Sequence, residues 1–310
     1  MVYFKRLAVM IGLVAAEITL ATAGEGVPAL QIVAPNGATS LLVPDVHIAF
    51  PGLRQPLPAV LRGGARLVIE SSVTQGPQPP QASLREVLAP NAYASLLTQG
   101  RLERAPWASE LSEDDVARLR HLGECMRPAV DSAGIDVMLA MKSAAGALSV
   151  ALQRCAASGQ LSRDEIFLQA ANRYGVPVET LETQVAVDTQ RKAVPDRIYE
   201  EQLHMALDPD AQRGYLATVS DVNRGDYAAV LEEQNKSFTD PADAAAFYQI
   251  MVETRNRAWI AQLQKYFNQG NALVLVGAAH FAGRAGLIHL LEQAGYTINP
   301  TMLPADPAQG

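Results

Sequence analysis

The chain has 310 residues, 25 Lys+Arg against 32 Asp+Glu, a formal net charge of -7 and 49% hydrophobic residues. That apolar fraction excludes a disordered chain, and the acidic balance argues against a nucleic-acid binder. Two cysteines are too few for a disulfide scaffold or a four-thiolate metal centre.

The first residues read as a secretory signal. Lys5 and Arg6 form a positive start, residues 7–20 are mostly apolar, and Ala21-Thr22-Ala23 supplies the small residues of a cleavage site. Cleavage is expected between Ala23 and Gly24, leaving residues 24–310 as a periplasmic or secreted chain. The apolar run is shorter than the roughly 20 residues a membrane span needs and contains Glu17. No membrane association is therefore expected once the signal is removed. In an oxidising compartment Cys125 and Cys155 are expected to pair; the alternative is two free, buried thiols.

The mature chain opens with β-type sequence. Residues 29–34 (ALQIVA) and 39–43 (TSLLV) flank Pro35-Asn36-Gly37, a hairpin signature. The second strand runs into Pro44-Asp45-Val46-His47. A short helix at 57–62 follows, then a buried-type strand at 65–70 (ARLVIE) ending on Glu70. Residues 73–82 read as a loop. From Ser83 to about residue 268 the pattern is helical. Ser83 with Glu86, Ser112 ahead of an acidic first turn, and Ser162 with Glu165 mark helix starts. Val178 to Thr183 interrupts the helices as one more strand candidate, with Glu182 near its end. Residues 271–276 (NALVLV) are a second buried strand, entering Gly277-Ala278-Ala279-His280. A helix at 286–294 capped by Gly295, a short strand at 296–298 and a proline-containing tail complete the chain. The expected fold is mixed α/β. A central sheet is formed from both chain ends within a single domain, with a helical insertion at about 83–268.

Three residues share one placement. His47 and His280 follow strands by a few residues, and Glu70 ends one. Side chains beyond the carboxyl ends of strands are where open sheets bind ligands, and two imidazoles with a carboxylate suit a divalent metal. Taken singly, each has a plain structural reading: a satisfied or exposed histidine, or a surface carboxylate. The glycines around His280 leave room for close approach, but there is neither GxGxxG nor GxxxxGK[ST] to support a nucleotide site.

The run LVLVGAAHFAG at 273–283, continued by Gly286-Leu287, Leu290-Leu291 and Gly295-Tyr296, resembles the C-terminal signature of the TraB/GumN family. Arg255-Asn256, Leu181-Glu182-Thr183, and the block from Leu41 to His47 followed by Glu70 resemble its other motifs, in order. The wider group includes the Tiki metal-dependent peptidases, whose site uses two Gly-x-x-His motifs and a glutamate. The resemblance implies His47, His280 and Glu70 as ligands of a divalent metal, with manganese, cobalt and zinc left open. It also implies Glu70, Arg255, Asn256 and Glu182 as catalytic residues. Arg255 and Asn256 would line the cleft, and Glu182 would serve as a supporting partner or base. The implied activity is a metal-dependent, peptidase-like hydrolase acting on a peptide or small molecule. One departure matters: Pro44 stands where the family's first motif has glycine, so a peptide- or signal-binding protein without catalysis is the alternative. An esterase activity, by analogy with the erythromycin-esterase group, is weaker, because no GxSxG is present.

Overall fold

The computed structural model describes residues 26–71, 83–155 and 160–307. The signal-peptide reading of residues 1–23 and the loop at 73–82 lie outside these. Six strands form one mixed sheet: β1 (Val27–Val33), β2 (Thr39–Asp45), β3 (Arg66–Ile69), β4 (Val178–Thr180), β5 (Ala272–Gly277) and β6 (Thr297–Leu303). Their order across the sheet is β4-β3-β5-β2-β1-β6. The two chain ends thus supply five strands, and the helical stretch contributes the edge strand β4.

β5 sits near the middle of the sheet and every one of its residues is buried. It pairs parallel with β2 on one side and β3 on the other, and β3 pairs parallel with β4. A strand covered on both faces must be apolar throughout, which is why 272–276 (ALVLV) shows no alternation. Its side chains divide by parity. Val274 and Val276 join Leu42, Trp259, Leu263 and Phe267 on one face. Leu273 and Leu275 join Val43, Leu67, Phe167 and Ala170 on the other. A third apolar cluster, including Leu119, Ile135, Leu148, Ile198 and Leu203, is drawn from the helical stretch between β3 and β5 and includes no strand residue.

The anticipated helix starts are realised as capping boxes at Ser83, Ser112 and Ser162. Cys125 and Cys155 are joined in a disulfide with Cα atoms 5.0 Å apart. The last strand is longer than its sequence suggests. β6 runs through Pro300 to Leu303, where residues from Pro300 onward read as a tail. It is an edge strand paired only with β1, Leu30 opposite Pro300, so a residue without an N–H is tolerated there. Among the described residues no helix is long and apolar enough to cross a membrane.

The parallel arrangement fixes where chemistry can gather. β2, β5, β3 and β4 all point the same way, with Asp45 in register with Gly277. The residues after their carboxyl ends are Val46 and His47, Ala278 to His280, Glu70, and Leu181 and Glu182.

Candidate functional site

Glu70 is the centre of the assembly. Its Oε1 accepts from the Gly277 N–H at 2.7 Å and lies 3.2 Å from His47 Nε2 and 3.9 Å from His280 Nε2. Its Oε2 accepts from Arg255 Nη2 at 2.6 Å. Burial alone would push this carboxyl up; the charge of His47, with Arg255 behind it, instead holds it well below the usual range. A carboxylate that stays ionised is suited to holding a cation and poorly suited to acting as a base.

The two histidines are mounted alike. His280 Nδ1 is 2.7 Å from Asn256 Oδ1. The Asn256 amide nitrogen already donates to the carbonyls of His280 and Ala285, at 3.1 and 2.7 Å. Its oxygen must therefore accept, His280 Nδ1 carries the proton, and Nε2 presents a bare lone pair. Arg255 Nη1 donates toward that lone pair at 3.3 Å. Burial, helped by the charges of Arg255 and His47, lowers the His280 pKa to about 4 even though Glu70 opposes it. The ring is neutral at pH 7, the form a metal ligand needs. His47 Nδ1 is held by Asp164 Oδ2 at 2.9 Å, directing Nε2 to Glu70. Its side chain is 45% exposed. Packing against the sheet disfavours its charge, but Glu70, Asp164 and Asp45 outweigh this and raise its pKa well above the usual value. Solvent screens part of that attraction at an exposed ring.

The space between the three donors belongs to Gly277. A Cβ there would lie 3.0 Å from His47 Nε2, 3.2 Å from Glu70 Oε1 and 3.6 Å from His280 Cδ2. Ligand atoms around a tetrahedral ion with bonds of about 2.0–2.2 Å are about 3.3–3.6 Å apart. The observed separations of 3.2 and 3.9 Å from Glu70 bracket that spacing. Each imidazole nitrogen thus stands near ligand spacing from Glu70, but among the described residues His47, Glu70 and His280 are not a group whose ligand atoms all lie within 4.8 Å of one another, so a shared ion would have to draw the two histidines together.

Sequence reasoning missed Asp164 and left open whether Asp45, next to Pro44, adds a carboxylate to the site. Asp45, Asp164 and His47 offer ligand atoms all within 4.8 Å of one another. Asp45 Oδ1 accepts from the Val46 N–H, while the buried Oδ2 lies 3.3 Å from His47 Nδ1 without the geometry of a hydrogen bond. Burial would raise Asp45, but His47 brings it down to about 2. Burial and the Asp45 charge together push Asp164 up to about 7. The available signal was the acid at the N-terminus of the Arg163–Tyr174 helix, which reads simply as part of a helix start.

The doubt raised by Pro44 moves to another residue. Pro44 lies in β2 beyond the last β1 partner, opposite Val276, and its carbonyl accepts from the fully buried Arg163. The left-handed backbone is at His47 itself, with φ of 60°. That uncommon conformation for a side-chain-bearing residue turns the imidazole back toward the sheet.

Arg255, Asn256 and Glu182 do not line an open cleft. Asn256 is fully buried and serves as the mount of His280. Arg255 Nε and Nη2 donate to Glu182, Nη1 to the Met251 carbonyl, and its guanidinium lies 4.7 Å from the Trp259 ring centroid. Glu182 accepts from Arg255 and from Trp259 Nε1, which leaves it no free oxygen for proton transfer. The anchoring has a local cause the sequence did not reveal. A π-helical turn, Gln249–Glu253, precedes the Thr254–Gln269 helix, and the Met251 carbonyl within it accepts from the guanidinium.

The neutral state of His280 has a measurable consequence. Between pH 6.5 and about 4 the unfolded chain protonates this residue and the folded chain does not. Stability contributed by His280 is thus present above pH 6.5 and is lost as pH falls toward 4, by about 3 kcal/mol for a shift from 6.5 to about 4. Urea denaturation of wild type and His280→Gln across this range should show wild type losing that amount relative to the variant. Parallel curves would remove the basis for a neutral ring.

The TraB/PrgY/gumN family model matches residues 47–300, and the chain belongs to that family. No curated protein and no solved structure matches it.

Proposed function

We propose that this member of the TraB/PrgY/gumN family is an exported metal-dependent hydrolase of peptidase type. A divalent ion would be held by His47 Nε2, Glu70 and His280 Nε2. The observation that carries the reading is the bare Nε2 of His280 facing Glu70 Oε1 from one side while His47 Nε2 faces it from the other, around the missing Cβ of Gly277. When bound, such an ion polarises a substrate carbonyl and acidifies water.

The protein's own groups divide the remaining work. Asn256 and Asp164 hold the two imidazoles in the tautomers that leave Nε2 toward Glu70. Arg255, itself anchored by Glu182, keeps Glu70 ionised and fixed. Asp164, 28% exposed and pushed up to about 7, forms with His47 the pair able to hold and release a proton near neutral pH.

The test is metal content after loading with manganese, cobalt or zinc, together with mass-spectrometric detection of products from a peptide library. Glu70→Gln and His280→Ala are each expected to lose metal and cleavage together. Asp164→Asn should retain metal with reduced turnover. If metal loss instead followed Asp164→Asn and spared Glu70→Gln, the ion would lie on the Nδ1 side of His47, among Asp45, His47 and Asp164. Cleavage unchanged in His280→Ala would eliminate the hydrolase reading. Peptide retained without product by wild type would favour the binding protein.

A further inference from the structure

The disulfide carries a third ligand that the candidate hydrolytic site does not use. His121 and Cys125 are four residues apart at the end of the Glu113–Glu124 helix, so their side chains project from one face. Cys155 arrives from the segment after the Ala145–Ala151 helix. His121 Nε2 lies 3.6 Å from Cys155 Sγ, and the ligand atoms of His121, Cys125 and Cys155 all fall within 4.8 Å of one another. A zinc ion at about 2.05 Å from nitrogen and about 2.3 Å from sulfur, in tetrahedral geometry, sets the two ligand atoms about 3.6 Å apart. The histidine already stands at that distance from the sulfur while the two sulfurs are bonded to each other.

We propose that, when the disulfide is reduced, Cys125, Cys155 and His121 bind Zn²⁺ in its place. A dithiol donor reduces the S–S bond, yielding two cysteine thiols and the oxidised donor. Zinc then binds as two thiol protons leave, with the neutral imidazole as third ligand and water in the fourth position. The bond between sulfurs opens and each sulfur moves onto the metal. His121 and Cys155 are exposed, so neither reductant nor ion needs an opening of the core. The link between the Glu113–Glu124 helix and the segment after the Ala145–Ala151 helix is thus kept in both redox states, by sulfur–sulfur in one and by zinc in the other. This centre is independent of the Glu70 site, which contains no sulfur.

Cobalt titration of the full chain separates the two. Phosphine-reduced, desalted protein should bind one more equivalent of cobalt or zinc per chain than oxidised protein. It should also show the thiolate–cobalt absorption that an imidazole–carboxylate site lacks. His121→Ala should weaken zinc binding by the reduced protein at least about tenfold, about 1.4 kcal/mol, with the fold unchanged by circular dichroism. Cys125→Ser combined with Cys155→Ser should abolish the band. The proposal is overturned if folded, reduced wild type shows no thiolate–cobalt band, if His121→Ala binds zinc as tightly as wild type, or if the reduced chain unfolds and zinc does not refold it.

Discussion

Arg255→Met should destabilise the protein by about 3–5 kcal/mol, the usual cost of stripping one partner from a buried ion pair. Glu70 and Glu182 are 10% and 6% exposed at the side chain, and both depend on this guanidinium. Methionine fills much of the volume and keeps the contact with Trp259, so lost packing contributes little. What remains is Glu182 with no cation beside it and Glu70 left to the half-exposed His47 alone. Arg255→Lys should fall between: an ammonium can pair with one acid but cannot reach Glu182, Glu70 and His280 together as the planar fork does. Adding Glu182→Gln to Arg255→Met should recover part of the loss, because the orphaned charge of Glu182 disappears. The combined effect would then be smaller than the sum of the single ones. Urea midpoints of wild type, Arg255→Met, Arg255→Lys, Glu182→Gln and the double variant decide it. A loss below about 1 kcal/mol for Arg255→Met would mean that solvent reaches the acids and that the network is an ordinary surface bridge.

This network also marks how far the sequence could be read. His47, Glu70 and His280 are legible because each follows an apolar run of strand type, and the parallel pairing of β2, β3 and β5 turns that common position in sequence into a common position in space. The buried character of β5 and the three capping boxes are local properties, and local patterns encode them directly. Asp164 is hidden because the same residues, Ser162 to Glu165, satisfy a helix start completely. Nothing in a helix start says that the acid beside the capping-box Glu165 also holds a histidine 117 residues earlier. The locked state of Arg255 is hidden because it depends on the π turn at Gln249–Glu253, an insertion in helical register with no composition signal. The extension of β6 through Pro300 is hidden because proline argues against a strand unless that strand is known to be an edge.

Gly277 offers the sharpest separation of fold from function. In the sequence it is one of several glycines around His280, and the common reason for such a glycine, a left-handed backbone, does not apply. Its φ and ψ are −52° and 134°, which any residue adopts. Gly277→Ala should therefore fold, and the reduced freedom of the unfolded chain should if anything stabilise it slightly. Its N–H continues to donate to Glu70 Oε1. The added methyl, however, would stand 3.0 Å from His47 Nε2 and 3.2 Å from Glu70 Oε1. The exposed His47 can swing aside to relieve the contact; Glu70, held by Arg255 and by the same N–H, cannot. The protein thus relaxes by separating the two ligands a shared ion needs close. Displacements of about 1 Å in such sites cost on the order of 100-fold in activity. Metal affinity and turnover in Gly277→Ala should drop, by less than that factor because the contacts call for a shift of a few tenths of an ångström, while the thermal midpoint stays within a few degrees of wild type. Metal bound at wild-type affinity in this variant would show that the ion sits elsewhere, and the group of Asp45, His47 and Asp164 on the far side of the same imidazole would be the place to look.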